Sequence, residues 1–217
     1  MTAALARRRA MKAQRRKIQT EAKRREQRVD ASLPGLVRSA ATGTVHTCLV
    51  QQDLFERGLG TVVLVRATAR DALVMASFLL DVHCRGIKNA MLAPVSPDEL
   101  AFYIATLDST AEFEAVDPAY ACKLVRAAAA YGRSVGFEPH RDHALAERLF
   151  GDLNPEACPT RFEFGVDGKP CYVPGPGETA GQIGRHVQTM SRRLGSDGFT
   201  VMLPNDCDDG IDVAALP

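Results

Sequence analysis

The 217-residue chain predicts an α+β fold, a single two-layer domain with a mixed or antiparallel sheet behind a basic helical arm. Three observations carry this. Strand-like segments cluster early, helical stripes follow, and a hairpin, a helix and a strand close the chain, without the regular βαβ alternation of a parallel sheet. Apolar residues make up 46% of the chain and charged residues 24%, so the body can bury a core. The longest strongly apolar stretch, 72–80, is too short to span a bilayer.

The arm comes first. Residues 1–30 hold eleven cations (Arg7, Arg8, Arg9, Lys12, Arg15, Arg16, Lys17, Lys23, Arg24, Arg25 and Arg28) against Glu21, Glu26 and Asp30, a charge of +8. Subtracting that from the whole-chain +1 leaves −7 on residues 31–217. Residues 3–29 lack Gly and Pro and are dominated by strong helix formers. Met11, Ile18, Ala22 and Val29 give only a thin apolar stripe, too narrow to fix a helix on a core. This is an arm that orders on a partner, bounded by Pro34-Gly35. No apolar h-region follows the charges, and Ser is absent before Ser32, so the segment reads as neither a secretory signal nor a transit peptide. Cytoplasmic location, no membrane and no cofactor are expected. The six cysteines lack CxxC spacing, and read as reduced, mostly buried thiols.

The body spans 35–204. Thr44–Val50 reads as a strand and Gln52–Arg57 as a helical turn closed by Gly58. Thr61–Ala67 is rich in β-branched residues, and Ala72–Asp81 is apolar on both faces, the mark of a central strand. Ser96-Pro97-Asp98-Glu99 is a capping box that opens a helix lined by Leu100, Ile104 and Leu107. Asp117-Pro118 opens a longer one, with Tyr120, Leu124, Ala128, Tyr131 and Val135 on one face, a low ridge at Ala127–Ala130, and Gly136 as its stop. A short helix over 142–150 takes Asp142 as its N-cap. Arg161–Phe164 and Lys169–Val173 predict a hairpin about Gly165–Gly168. Thr179 and Gln182 form a second capping box, ahead of Ile183, Val187, Met190 and Leu194. Phe199–Leu203 predicts a last strand, and 205–217 an acidic tail.

The stretches F-L-L-D-V-H-C-R-G-I-K-N-A (78–90), G-F-E-P-H-R-D (136–142) and F-G-V-D-G-K-P-C-Y-V-P-G-P (164–176) resemble a family of uncharacterised bacterial proteins. The resemblance covers about residues 44–194. It implies a bacterial, cytoplasmic body and brings no chemistry with it.

Asp81 to Lys88 (D-V-H-C-R-G-I-K) is the densest run of reactive side chains. A common metal-nuclease pattern needs an acid two residues before the lysine. Gly86 stands there instead. Asp81, Lys88, His140 and Asp142 are the candidate residues of a hydrolase or nuclease cleft. His140 and His143 lie three apart, but a metal site would need further ligands such as Asp81 or Asp152. The Pro174–Thr179 loop lacks a P-loop lysine, and its Glu178 would repel an anion. The tail's Asp206, Asp208, Asp209 and Asp212 imitate a calcium loop without its glutamate. They suit a competitor for the arm better.

The charge segregation points first to nucleic acid, with RNA or a ribonucleoprotein favoured because no helix-turn-helix or dimer signature is visible. An acidic protein partner is the alternative, either alone or with this chain as a non-catalytic subunit of a larger assembly. The arm contains no aromatic residue, so it would grip backbone phosphates and read little sequence.

Overall fold

The computed structural model describes residues 33–202; the basic arm (1–30), the acidic tail (205–217) and the residues that join them to the described part lie outside it. The described chain opens with a helix, α1, over 33–41. Pro34 and Gly35, read above as a boundary, lie inside it. Strands β1 (Val45–Gln51), β2 (Leu59–Ala67), β3 (Leu73–Asp81) and β4 (Gly86–Val95) follow, with a helical turn α2 (Leu54–Arg57) after β1. Helix α3 (Pro97–Asp108), the short β5 (Phe113–Ala115) and helix α4 (Pro118–Val135) come next. Helix α5 (His143–Ala146) continues as a 3-10 turn over Glu147–Phe150. The chain closes with β6 (Cys171–Tyr172), α6 (Ala180–Leu194) and β7 (Thr200–Val201).

The main sheet has the order β4-β3-β2-β1-β5, and every pairing is antiparallel. β3, apolar on both faces, has a neighbour on each side, and eight of its nine residues are buried. Alternate residues face opposite ways. Val62, Leu64, Val74, Ala76 and Phe78 join the large core with Leu124, Ala128 of α4 and Val37 of α1. Val63, Val65, Leu73 and Met75 instead pack with Leu100 of α3, whose Tyr103 hydroxyl donates to Ser77 Oγ at 2.8 Å. Both capping boxes form, at Ser96/Glu99 and at Thr179/Gln182.

Three further expectations change. Arg161–Phe164 makes no ladder: Phe162 stacks on Phe55 with ring centres 5.9 Å apart and meets Tyr120 edge-on, so the segment is held by aromatic packing. What remains of the hairpin is the tight pair Val166–Lys169, whose Asp167 and Gly168 have φ of 51° and 76°, the left-handed values a two-residue turn of this kind demands. β6 pairs instead, in parallel, with β7. Finally, the Asp142 side chain makes no capping bond to α5.

The β3–β4 turn sits on α4 where both chains have lost their side chains. A Cβ on Gly86 would stand 2.3 Å from the Ala128 carbonyl oxygen, and one on Gly132 would stand 2.5 Å from the Arg85 oxygen. Gly86 also holds φ at 69°. The low ridge of α4 is this seat. Replacing Gly132 by Ala should therefore cost about 1–3 kcal/mol through overpacking against backbone. Gly184, inside α6 with nothing within 4 Å of an added Cβ, provides the contrast. Gly184→Ala should stabilise by up to about 1 kcal/mol, since Ala propagates a helix better than Gly. Urea unfolding of the two variants checks the opposite signs.

Candidate functional site

The sequence-predicted candidates divide into two pairs. Asp81 ends β3 and is buried, and its carboxylate accepts the Cys84 amide at 2.8 Å. Burial drives its pKa up, against the pull of Lys88 and the amides of Cys84 and Arg85. His140 lies against β4 through its own amide, which donates to the Ile87 carbonyl at 3.1 Å. Its Nδ1 stands 3.8 Å from the exposed carboxylate of Asp142. Among the described residues no hydrogen bond or ion pair joins Asp81 or Lys88 to His140 or Asp142. Nor are three or more His, Cys, Asp or Glu among them gathered closely enough to hold a metal ion. The eleven arm cations lie outside the described residues.

The turn between β3 and β4 is consumed by the scaffold. His83 Nε2 pairs with the Phe55 carbonyl at 3.1 Å, while its own carbonyl accepts from the Tyr131 hydroxyl at 2.9 Å and from the Cys171 amide at 2.9 Å. Cys84 Sγ faces Met190 Sδ at 3.5 Å, fully buried, and burial forces its pKa up, so this thiol is inert. The five described cysteines are all free and buried.

Arg85 leads to the arrangement that the sequence did not reveal. Its guanidinium donates to Glu178 Oε1 at 2.8 Å and lies over the Phe137 ring, 5.5 Å from its centre. Glu178 Oε2 accepts from the Tyr172 hydroxyl in a short bond and from the Gly175 amide at 3.1 Å. The Tyr172 oxygen in turn stands 3.0 Å from His186 Nδ1. Phe137 and Tyr172 both meet the His186 ring at a steep angle. Burial would raise the Glu178 pKa, but the Tyr172 bond, the Gly175 amide, Arg85 and His186 together hold it below the usual carboxylate value. Burial, then the positive charge of Arg85, keep His186 below the usual imidazole value.

These states fix the protons. Tyr172 has one hydroxyl hydrogen and donates it in a hydrogen bond to the ionised Glu178. His186 must then carry its hydrogen on Nδ1 and donate to the Tyr172 oxygen, which leaves Nε2 bare. Nε2 makes no hydrogen bond among the described residues, and no Ser, Thr or Cys hydroxyl or thiol is joined to it. The cluster thus orients a neutral imidazole without a nucleophile beside it. It also locks α6 and the 173–179 loop to the β3–β4 turn. No family model, curated protein or solved structure matches the chain.

Sequence reading placed Glu178 in a loop as an obstacle to anions and Tyr172 in a hairpin strand, and found no role for His186. Residues 85, 137, 172, 178 and 186 follow no common period, so nothing in the chain announces their meeting.

Two tests follow. Glu178→Ala leaves Arg85 and Tyr172 without their partner and should cost about 2–4 kcal/mol in denaturant unfolding, while Glu178→Gln, which keeps one acceptor, should cost less. The second concerns pH. His143 is buried, its Nε2 is the one buried side-chain nitrogen or oxygen without a partner among the described residues, and Glu147 Oε2 is 3.9 Å away. Burial chiefly lowers its pKa, opposed by Glu147 and aided by Arg133. A histidine with a lowered folded pKa leaves stability unchanged above its unfolded value of 6.5 and weakens the fold as pH falls through the interval below. His143 and His186 thus weaken the fold from pH 7 toward pH 5, while Asp81, whose folded pKa is raised, acts in the opposite direction. His143→Phe should remove up to about 1.4 kcal/mol per pH unit of that slope, the contribution of one proton. Glu178 acts lower: its contribution is present above 4.5 and is lost as pH falls through its depressed folded pKa.

Proposed function

We propose that the protein associates with nucleic acid, RNA ahead of duplex DNA, through residues 5–28. The segregation of charge carries this reading: +8 on residues 1–30 against −7 on all that follow. Phosphate backbones bind such clusters by releasing condensed counterions. Helix α6 adds support from the body. It contains Arg185, Arg192 and Arg193 and no Asp or Glu, and all three arginines are exposed. The hydrolase reading draws less support, because the Asp81 carboxylate is committed to turn amides and its nominated partners are not joined to it.

The contacts expected are to phosphates, with little preference among sequences. Fluorescence anisotropy of the full chain on mixed-sequence single-stranded RNA, across a salt series, tests this. With six to eight phosphates engaged, log affinity should fall against log salt with a slope of about −4 to −6 on a single strand, or about −5 to −7 on a duplex. Replacing Arg7, Arg8 and Arg9 by Gln should flatten that slope by about 2 to 3. Absence of binding to RNA and DNA at low ionic strength, or a slope the triple variant leaves unchanged, overturns the proposal.

A further inference from the structure

Two hollows of the body share Tyr120 and Thr160 in their linings. One, of about 440 Å³, is lined by Glu114, Val116, Asp117, Tyr120 and the 157–160 segment. The other, of about 490 Å³, is lined by Phe55, His83, Tyr120 and residues 160–163 with Gly165. They form one open groove. Its floor is apolar and aromatic: Val116, Tyr120, Pro159, Phe55 and Phe162. Its rim carries Glu114, Asp117 and Glu163 against Arg161, all four exposed, while the half-buried Lys123 spends its ammonium on the lining Cys158 carbonyl at 2.6 Å. Such a surface repels a phosphate backbone and suits a cationic segment with a few apolar side chains.

The chain itself contains that segment. Residues 1–30 are its most cationic stretch, and Met11, Ile18, Ala22 and Val29 recur at intervals of seven, four and seven, so that a helix would align them on one narrow stripe. A stripe that thin cannot occupy a broad core face, but it matches a groove that takes a few side chains between acidic rims. Residues 31 and 32 alone separate the arm from α1 at 33, so at about 3.3 Å per residue the arm's own length, and not the link, must carry its stripe to the groove. We infer that the groove between β5, the start of α4 and the 157–165 segment receives this chain's own residues 1–30, apolar stripe inward and cations on Glu114, Asp117 and Glu163. The arm then has two competing partners, the groove and an external polyanion, and the groove sets a threshold that the polyanion must exceed. The intramolecular contact does not require the polyanion to be nucleic acid.

The test places the photo-crosslinking residue p-benzoylphenylalanine at Thr160 in the full chain, with the same residue at Gln188 on α6 as the control. After illumination at low micromolar protein and low salt, mass spectrometry should find intrachain adducts between position 160 and residues 1–30, with few from position 188. Glu114→Lys with Glu163→Lys should cut that adduct about tenfold, the scale of two rim ion pairs turned repulsive. Salt at 1 M, where the screening length is about 3 Å, should cut it as well. Asp117 is left in place because its carboxylate caps α4. Adducts confined to other segments, adducts between two chains, or a yield indifferent to both the double variant and salt would each overturn the inference. Adding the RNA probe distinguishes this from the binding proposal: an adduct that survives saturating RNA contradicts competition for the arm, while failure of RNA to bind at all leaves the adduct as it was.

Discussion

The closeness of two backbones organises this molecule. Gly86 and Gly132 allow the β3–β4 turn to rest on α4 at a distance that no side chain would permit. From that seat the four turn residues reach in different directions. Val82 accepts the Gly165 amide, His83 ties down α2 and β6, Cys84 meets α6, and Arg85 reaches the loop before it. The sheet, the long helix and the C-terminal unit are therefore referred to one short turn. A shift of that turn by one methyl group's width would be passed to all of them, since packed interiors transmit strain instead of absorbing it.

This explains why a run of reactive residue types is not a reaction centre. Asp81, His83, Cys84 and Arg85 carry groups that chemistry uses often, and each is engaged by a backbone amide, a carbonyl, a buried thioether or a carboxylate. A buried polar group without a partner costs more than a satisfied one contributes, so a polar turn at the centre of a fold must find partners nearby. Density of polar types in the chain was the mark of a structural hub.

Much of the fold was legible because local rules and tertiary packing agree. The two capping boxes, the doubly apolar β3 and the stripe on α4 with its glycine stop each follow from a short-range pattern that the core then uses. β4 was missed because Lys88, Asn89 and Pro94 interrupt it and it has only Ile87 and Val95 as β-branched residues. Those features suit an edge strand, where an unpaired outer side tolerates proline and charge. β5 is three residues long and depends on β1 for its existence. Arg161–Phe164 alternates like a strand, yet its phenylalanines are spent on Phe55, Tyr120 and Tyr131. The cluster of Arg85, Tyr172, Glu178 and His186 was invisible for a different reason: four residues from three segments share no spacing, and only the folded chain brings them within hydrogen-bond reach.

Electrostatics then separates the surface into unlike regions. Cations stand on α6 without an acid among them, and acids line the groove beside β5 and the start of α4. A body arranged this way does not present one uniform field to a charged partner. The net −7 of residues 31–217 is screened beyond about 10 Å at 0.1 M salt, so what a tethered +8 segment meets is the local pattern and not the sum. Wherever the link spans the distance, tethering raises the effective concentration of such a segment at an acidic groove to the millimolar range, which makes even weak rim pairs count. An external polyanion gains instead by contacting many cations at once. The outcome depends on how many charges each side engages, and ionic strength weakens both, but it weakens the many-charge competitor more steeply.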